Sequence, residues 1–117
     1  MLPRDTNPHG TIFGGVILSY IDQAGAIEAY RHGARRVVTV AMDKVVFHAP
    51  VYVGDLVSFY GGLVRVGTTS ITVRVDVEAC HAGARGPARQ VTEAVITYVN
   101  VDDAGAPKPI VRPSSEA

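Results

Sequence analysis

Hydrophobic and polar positions change period once along the chain. Over residues 13–30, Ile17, Tyr20, Ile21, Ala24 and Ile27 recur at spacings of three and four, which predicts a helix with one wide apolar face. Its other side is hardly more polar, since Leu18, Gly25, Ala26 and Ala29 surround Asp22. A helix that is apolar almost all round belongs in an interior. Gly33 just beyond it tolerates the left-handed backbone of a helix stop. The period then falls to two. Valine-rich stretches at 36–42 and 44–47 read as strands, and Ala49-Pro50 with Val53-Gly54-Asp55 marks the turn into a longer strand at 56–66. Gly61-Gly62 breaks the alternation there, which suggests a bulge or a close backbone approach. Gly67-Thr68-Thr69 reads as a hairpin connection. In the strand after it, Ile71, Val73, Val75, Val77 and Ala79 point inward, while Ser70, Thr72, Arg74, Asp76 and Glu78 point outward. A last strand is expected at 90–101.

One buried helix followed by four or five long antiparallel strands is an α+β arrangement, in which strands of about ten residues can curl around the helix and cover its circumference. A single domain over residues 1–103 is expected, with a proline-containing, extended tail at 104–117. So small a sheet has an open edge, and edge pairing between subunits is a common remedy, so oligomerisation is expected on physical grounds.

Composition narrows the function classes. Hydrophobic residues make up 47% of the 117 and charged residues 19%, which excludes intrinsic disorder. Eleven basic residues balance eleven acidic ones, so no global field draws the chain to nucleic acid or to an anionic membrane. A phosphate-bearing ligand would have to be held by a local cluster of positive charge. The single Cys80 excludes an intrachain disulfide and fits a reducing cytoplasm. The apolar stretch at 12–29 carries Asp22, Gln23 and Glu28, too polar to span a bilayer readily, and the chain opens without a signal-peptide pattern.

Asp5-Thr6-Asn7-Pro8-His9-Gly10-Thr11-Ile12-Phe13-Gly14-Gly15, followed by Asp22-Gln23-Ala24-Gly25-Ala26, closely resembles the bacterial single-domain acyl-CoA thioesterases of the hotdog superfamily. Further matches follow in order: Val37-Val38-Thr39-Val40-Ala41; Phe47, Pro50-Val51 and Val53-Gly54-Asp55; Gly67-Thr68-Thr69-Ser70; and Thr92-Glu93-Ala94 with Tyr98-Val99. The resemblance covers nearly the whole chain. It implies a helix wrapped by a curved antiparallel sheet, and dimers assembled further into hexamers or tetramers with active sites at subunit interfaces. It also implies hydrolysis of acyl-CoA to free acid and CoA, with no cofactor and no metal. It assigns the catalytic carboxylate to Asp22 and a partner-supplied loop asparagine to Asn7. The chain departs from the family pattern in three places: family members usually carry a strand upstream of the Asp-Thr-Asn loop, whereas this sequence starts four residues before it, which implies either a truncated start or a sheet one strand short; Ala49 stands where a basic residue is common; and the basic residues before Thr92 are displaced, leaving Arg85, Arg89 and Gln90.

Thioester hydrolysis needs activated water or a nucleophile, together with a donor for the carbonyl oxygen. Asp22 suits general base or nucleophile, and apolar neighbours would withdraw water from it and strengthen it as a base. The small Gly25 and Ala26 leave room for a thioester beside it. Gly14-Gly15 opens the helix, where unpaired amides and the macrodipole favour negative charge, so the Gly15 amide is a candidate oxyanion donor. Two glycines also serve a tight turn into a helix, and Asn7 in a loop also serves turn formation. For CoA, the candidates are Arg65, Gly67, Thr68, Thr69 and Ser70 of the hairpin, through backbone donors and one guanidinium. Arg89, Arg85, Lys108 and Arg112 are further phosphate clamps, or ordinary surface charge. Glu28 lies on another helix face from Asp22, so a paired carboxylate is not expected.

No nucleotide-binding glycine loop or serine elbow is present, and the four histidines and one cysteine are not grouped at zinc spacings. Two other functions compete with hydrolysis. A non-catalytic acyl-CoA-binding regulatory module has no need of a helix carboxylate beside its ligand. A dehydratase of the same fold requires a helix histidine that this sequence lacks.

Overall fold

The structure is a computed structural model, and the description covers residue 12, residues 14–81 and residues 88–111. Among the described residues it holds a helix α1 (Gly14–Arg31) and four strands, β1 (Val37–Phe47), β2 (Asp55–Val66), β3 (Ser70–His81) and β4 (Arg89–Asn100). The strands form one antiparallel sheet in the order β1-β4-β3-β2, with α1 packed against it. This is the α+β arrangement expected from the sequence.

The core lies where α1 meets the two central strands. Ile71, Val73, Val75, Val77 and Ala79 of β3 are all buried, as the alternation predicts, and Ile96 and Tyr98 continue the layer on β4. Each fully buried Val or Ile side chain contributes about 1.5–3 kcal/mol relative to exposure. On the outer face polar pairs tie the strands together: Thr72 to Thr97, and Arg74 to Asp76 and Glu93.

The helix is seated differently from expectation. Its buried residues are Ile17, Ile21, Gly25, Glu28 and Ala29, a stripe at spacings of three and four rotated away from the predicted one. Tyr20 remains 42% exposed and Ile27 61%. The sheet therefore covers one side of α1, not its circumference. The sequence pattern could not choose the stripe, because nearly every position around the helix is apolar or small. α1 does end at Gly33, whose φ of 107° places it in the left-handed region. The Ala34 and Gly33 amides donate to the carbonyls of Ala29 and Tyr30, and Ala34 is itself buried, which is the paired-bond helix stop with its apolar contact.

Irregularities in register and turn shape the sheet. The two stretches read as separate strands at 36–42 and 44–47 are one strand, interrupted by a register shift between Asp43 and Val46 where Lys44 takes a φ of 52°. The bulge suggested at Gly61-Gly62 falls instead between Leu63 and Arg65. Gly61 answers the other expectation: a Cβ there would stand 3.0 Å from the Cβ of Glu28, so its absence lets β2 approach the helix. In the turn before β2, Gly54 has a φ of 90° and the Asp55 amide donates to the Tyr52 carbonyl, a type II-like arrangement.

Asp55 anchors that corner. Its side chain is 1% exposed; Oδ2 accepts from the Tyr52 amide and from Arg89 Nη2, both at 2.9 Å, and His81 Nδ1 lies 2.8 Å from Oδ1. Arg89 also donates to the carbonyls of Ala79 and Pro50, which joins β3, β4 and the β1–β2 connection. Burial pushes the Asp55 carboxyl upward, but the Tyr52 amide and the Arg89 guanidinium outweigh it and hold the group below the usual carboxylate range. The resulting stabilisation is fully present above the unfolded value of about 4 and is lost as pH falls through the lower folded value. Urea midpoints measured from pH 7 down to pH 2 are therefore expected to fall most steeply below about pH 4, and to fall less in Asp55→Asn. Arg89→Met, which leaves a buried carboxylate without its cation, is expected to lower stability by about 3 kcal/mol at neutral pH.

Candidate active site

Asp22 sits in the middle of α1 at the margin between the covered and uncovered sides, half-buried. Its Oδ1 accepts from Thr39 Oγ1 of β1 at 2.7 Å and from the Tyr98 hydroxyl of β4 at 3.1 Å. The same phenol lies 2.7 Å from the Asp22 carbonyl oxygen, so one proton is shared between main chain and side chain. Among the described residues Oδ2 has no partner. Among the described residues the carboxylate is thus held by one oxygen alone. Its surroundings are not uniformly apolar, as expected from the helix alone; two hydroxyls arrive from the sheet.

Tyr98 is 1% exposed. Burial first, and then the neighbouring Asp22 charge, raise its phenol above the ordinary range, so it stays a proton donor at any working pH. Its approach depends on Gly25. A Cβ on that glycine would stand 2.3 Å from the Tyr98 hydroxyl and 3.0 Å from Ile96 Cδ1. The space read from the sequence as room for a substrate is filled by the tyrosine. Thr39 and Tyr98 lie within the stretches that match the family but carry no role there. The available signal was a helical glycine three residues after the acid, together with a tyrosine on the inward phase of the last strand.

The strand register places the other candidates. Tyr98 pairs with Thr39 on one side and Ile71 on the other, and the next row is Val38, Val99 and Ser70. The hairpin of Gly67, Thr68, Thr69 and Ser70 therefore lies at the end of the sheet that holds Asp22. The Thr68 and Thr69 carbonyls accept from the Ile110 and Asn100 amides, and the Gly67 amide donates to the Ser70 carbonyl. Among the described residues the Thr68 and Thr69 amides have no acceptor, so the turn offers donors. Arg65 is exposed beside it on β2. Arg89 pairs with Ala79, nine residues of β3 from Ser70, or about 30 Å along the strand, and its recorded bonds are those around Asp55. Lys108 is exposed, with its amide and carbonyl bonded to Asn100. Asn7, Arg85 and Arg112 lie outside the described residues.

Gly15 is exposed in the first turn of α1, with nothing within 4 Å of where its Cβ would be. Asp22 follows seven residues later, about 10 Å along the axis and nearly on the same side of the helix. The first-turn amides and Asp22 of one chain are thus too far apart to act on one carbonyl group. Glu28 is 7% exposed and bonded to Arg31 and His32, on the side of α1 that meets Gly61, so it makes no pair with Asp22.

The Gly25–Tyr98 contact can be tested by stability alone. Gly25→Ala is expected to destabilise the fold by about 1–3 kcal/mol through overpacking, and Tyr98→Phe, which removes the clashing oxygen, to recover part of that loss in the double variant. Urea unfolding of the four proteins of this cycle measures the coupling; additive losses would contradict it.

Residues 9–81 match the family model of the thioesterase superfamily. The acyl-CoA thioester hydrolase YciA of Salmonella typhimurium is 41% identical over 111 residues, covering 93% of this chain and 84% of that protein. Among solved structures, Cj0915, a hexameric hotdog-fold thioesterase of Campylobacter jejuni, is 51% identical with a TM-score of 0.85, covering 94% of this chain and 84% of that one. HI0827, a hexameric broad-specificity acyl-coenzyme A thioesterase solved as an aspartate-to-alanine mutant, is 41% identical with a TM-score of 0.90, covering 97% of this chain and 83% of that one. Among the described residues no helix is long and apolar enough to cross a membrane. With the helix-on-sheet architecture and the match over residues 9–81 in agreement, the chain belongs to the thioesterase superfamily and has the hotdog fold.

Proposed function

We propose that this protein hydrolyses acyl-CoA thioesters to the free carboxylic acid and CoA, with Asp22 as the reacting carboxylate at a junction between two copies of the chain. The observation that carries the reading is the one-sided grip on Asp22: Thr39 and Tyr98 fix Oδ1 and leave Oδ2 without a partner among the described residues. As general base, Asp22 takes a proton from water, the hydroxide adds to the thioester carbonyl carbon, the carbon–sulfur bond breaks, and the proton passes to the CoA thiolate. As nucleophile, Oδ2 itself adds to that carbon, CoA leaves, and water cleaves the mixed anhydride.

A second copy enters the reading because, among the described residues, no free oxyanion donor lies beside Asp22. Gly15 and Asp22 share a side of α1, so two helices packed antiparallel about a two-fold axis near Leu18 and Ser19 bring each Asp22 opposite the other chain's first turn. The partner's Gly15 amide then faces the carbonyl oxygen as negative charge develops, and Asn7, which precedes it in the sequence, orients water or the carbonyl. The uncovered side of α1, with Ile27 61% exposed, and the open edge of β1, with Val40 56% exposed, supply surfaces for such a dimer. A hexamer or tetramer of such dimers follows the expectation from the sequence. Arg65 and the amides of Thr68, Thr69 and Ser70 lie at the Asp22 end of the sheet and receive the pantetheine arm and phosphates of CoA, with Gly67 allowing the close approach.

Asp22→Ala and Asp22→Asn are expected to fold and assemble but to lose roughly 100-fold or more of turnover, about 2.7 kcal/mol of barrier. Thiol release across an acyl-CoA panel measures this; equal rates in wild type and variant would remove Asp22 from the mechanism. Binding of acyl-CoA with no hydrolysis of any thioester would favour the regulatory module. The shared site has its own test. Asp22→Ala and Asn7→Ala proteins, each inactive, are expected to recover about a quarter of wild-type activity after denaturation and co-refolding, since half of random dimers then hold one intact site of two. No recovery in verified mixed dimers would place both residues in the same chain's site.

A further inference from the structure

β2 is an outermost strand of the sheet, and among the described residues nothing pairs with it on the side away from β3. From Leu56 to Val64 it carries neither a charge nor a proline, the usual means of blunting an edge. β1, at the other edge, has Asp43, Lys44 and two register shifts. Leu56, Tyr60 and Val64 of β2 are each more than half exposed, and Leu63 is exposed too. Gly61 is explained within the chain by its closeness to Glu28, but nothing lies within 4 Å of where a Cβ on Gly62 would stand. A glycine inside a strand weakens it, and such glycines often mark the close approach of another backbone. The groove beside this edge, between β2 and α1, is lined by Tyr20, Ala24, Phe59 and Gly61 among others. Tyr20 and Ala24 lie on the margin of α1 turned away from Asp22, so this flank is separate from the one that holds the acid.

The strand is also its own complement. When a second β2 lies antiparallel to the first about Gly61, Tyr60 of each stands opposite Gly62 of the other, and Phe59 stands opposite Leu63. Tyr60 and Gly62 share one face of the sheet, beside Asp76 and Arg74, while Phe59 and Leu63 share the other, beside Val77 and Val73. A ring laid over a glycine of the facing strand stabilises an edge, and so does a Phe–Leu pair. Because α1 rests over β2 and β3, the two helices then flank the seam and narrow the groove between them. One two-fold contact stops at two chains, whereas two such contacts on opposite edges carry an assembly further. We propose that β2 pairs antiparallel with β2 of a second copy about a two-fold axis at Gly61, joining dimers into the larger assembly. The existence of those dimers rests on the thioesterase reading above; the pairing itself rests on the strand.

The test combines sedimentation velocity, thiol release and chemical bridging. Wild type is expected to sediment as more than two chains. Tyr60→Lys and Leu63→Lys place a charge on the exposed edge, and each should give dimers whose thiol release per chain stays within about two-fold of wild type. In the paired strands the two copies of Gly62 lie about 8 Å apart across the axis. Gly62→Cys in a Cys80→Ala background should therefore be joined into covalent pairs by a short bis-maleimide, and adding Leu63→Lys should abolish the bridging. Lysine variants that keep the wild-type assembly, or no bridging at Gly62→Cys, would overturn the inference. Bridging in a protein that sediments only as a dimer would uphold the β2 pairing and remove the α1 junction from the proposed function. If no thioester is hydrolysed, the hydrolytic reading fails on its own, and sedimentation with bridging still decides the pairing.

Discussion

The position of the helix on the sheet is set by a phenol reaching into a gap left by a missing side chain. Tyr98 comes from the inward phase of β4, passes over Gly25 and meets both the carbonyl and the carboxylate of Asp22. This contact is at once packing and polar satisfaction. The ring fills the layer between helix and sheet, and its hydroxyl would be a buried orphan anywhere else along α1. Because the acid lies one helical turn before the glycine, the seating of the helix and the orientation of the carboxylate are one constraint. Thr39 completes it from β1, so Asp22 is gripped from two neighbouring strands.

The same seating leaves the helix half dressed. Its buried stripe includes Ile17, Ile21 and Ala29, while Tyr20, Ile27 and Tyr30 remain in the open. A lone domain this size gains little from such exposure, whereas a second copy laid on that side removes it from water. The first turn of α1 and Asp22 lie almost in line along the uncovered margin but about 10 Å apart. The dimer proposed above would hide the apolar side and at the same time bring together groups that one chain holds apart.

Much of the fold was legible because period is a direct consequence of strand and helix geometry. The alternation from Ser70 to Ala79 named its buried face correctly, and Gly33 marked the helix stop. The stripe of α1 was not legible, since a helix apolar on all sides carries no moment to orient it. Nor was the continuity of β1, where the interruption at Lys44 is a bulge within a strand and not a break between two. Asp22 stood out as a charge among small and apolar residues. Its two hydroxyl partners did not, because Thr39 and Tyr98 lie far from it in sequence and look like ordinary strand residues. Gly25 was read as space for a ligand when it is space for the protein's own ring.

Asn100 has a consequence for the end of the chain. Its buried side chain accepts from the Arg35 and Arg36 amides and donates to the Lys108 carbonyl, with the Pro109 carbonyl also within reach. One amide group therefore staples the helix-to-strand connection to the returning C-terminal segment. Proteolytic clipping or a truncation ahead of Lys108 would remove the acceptor of the Asn100 amide and uncover that group to solvent, and the disturbance would be felt at residues more than sixty positions earlier. The C-terminal strap is thus part of the cooperative unit that holds the end of the helix.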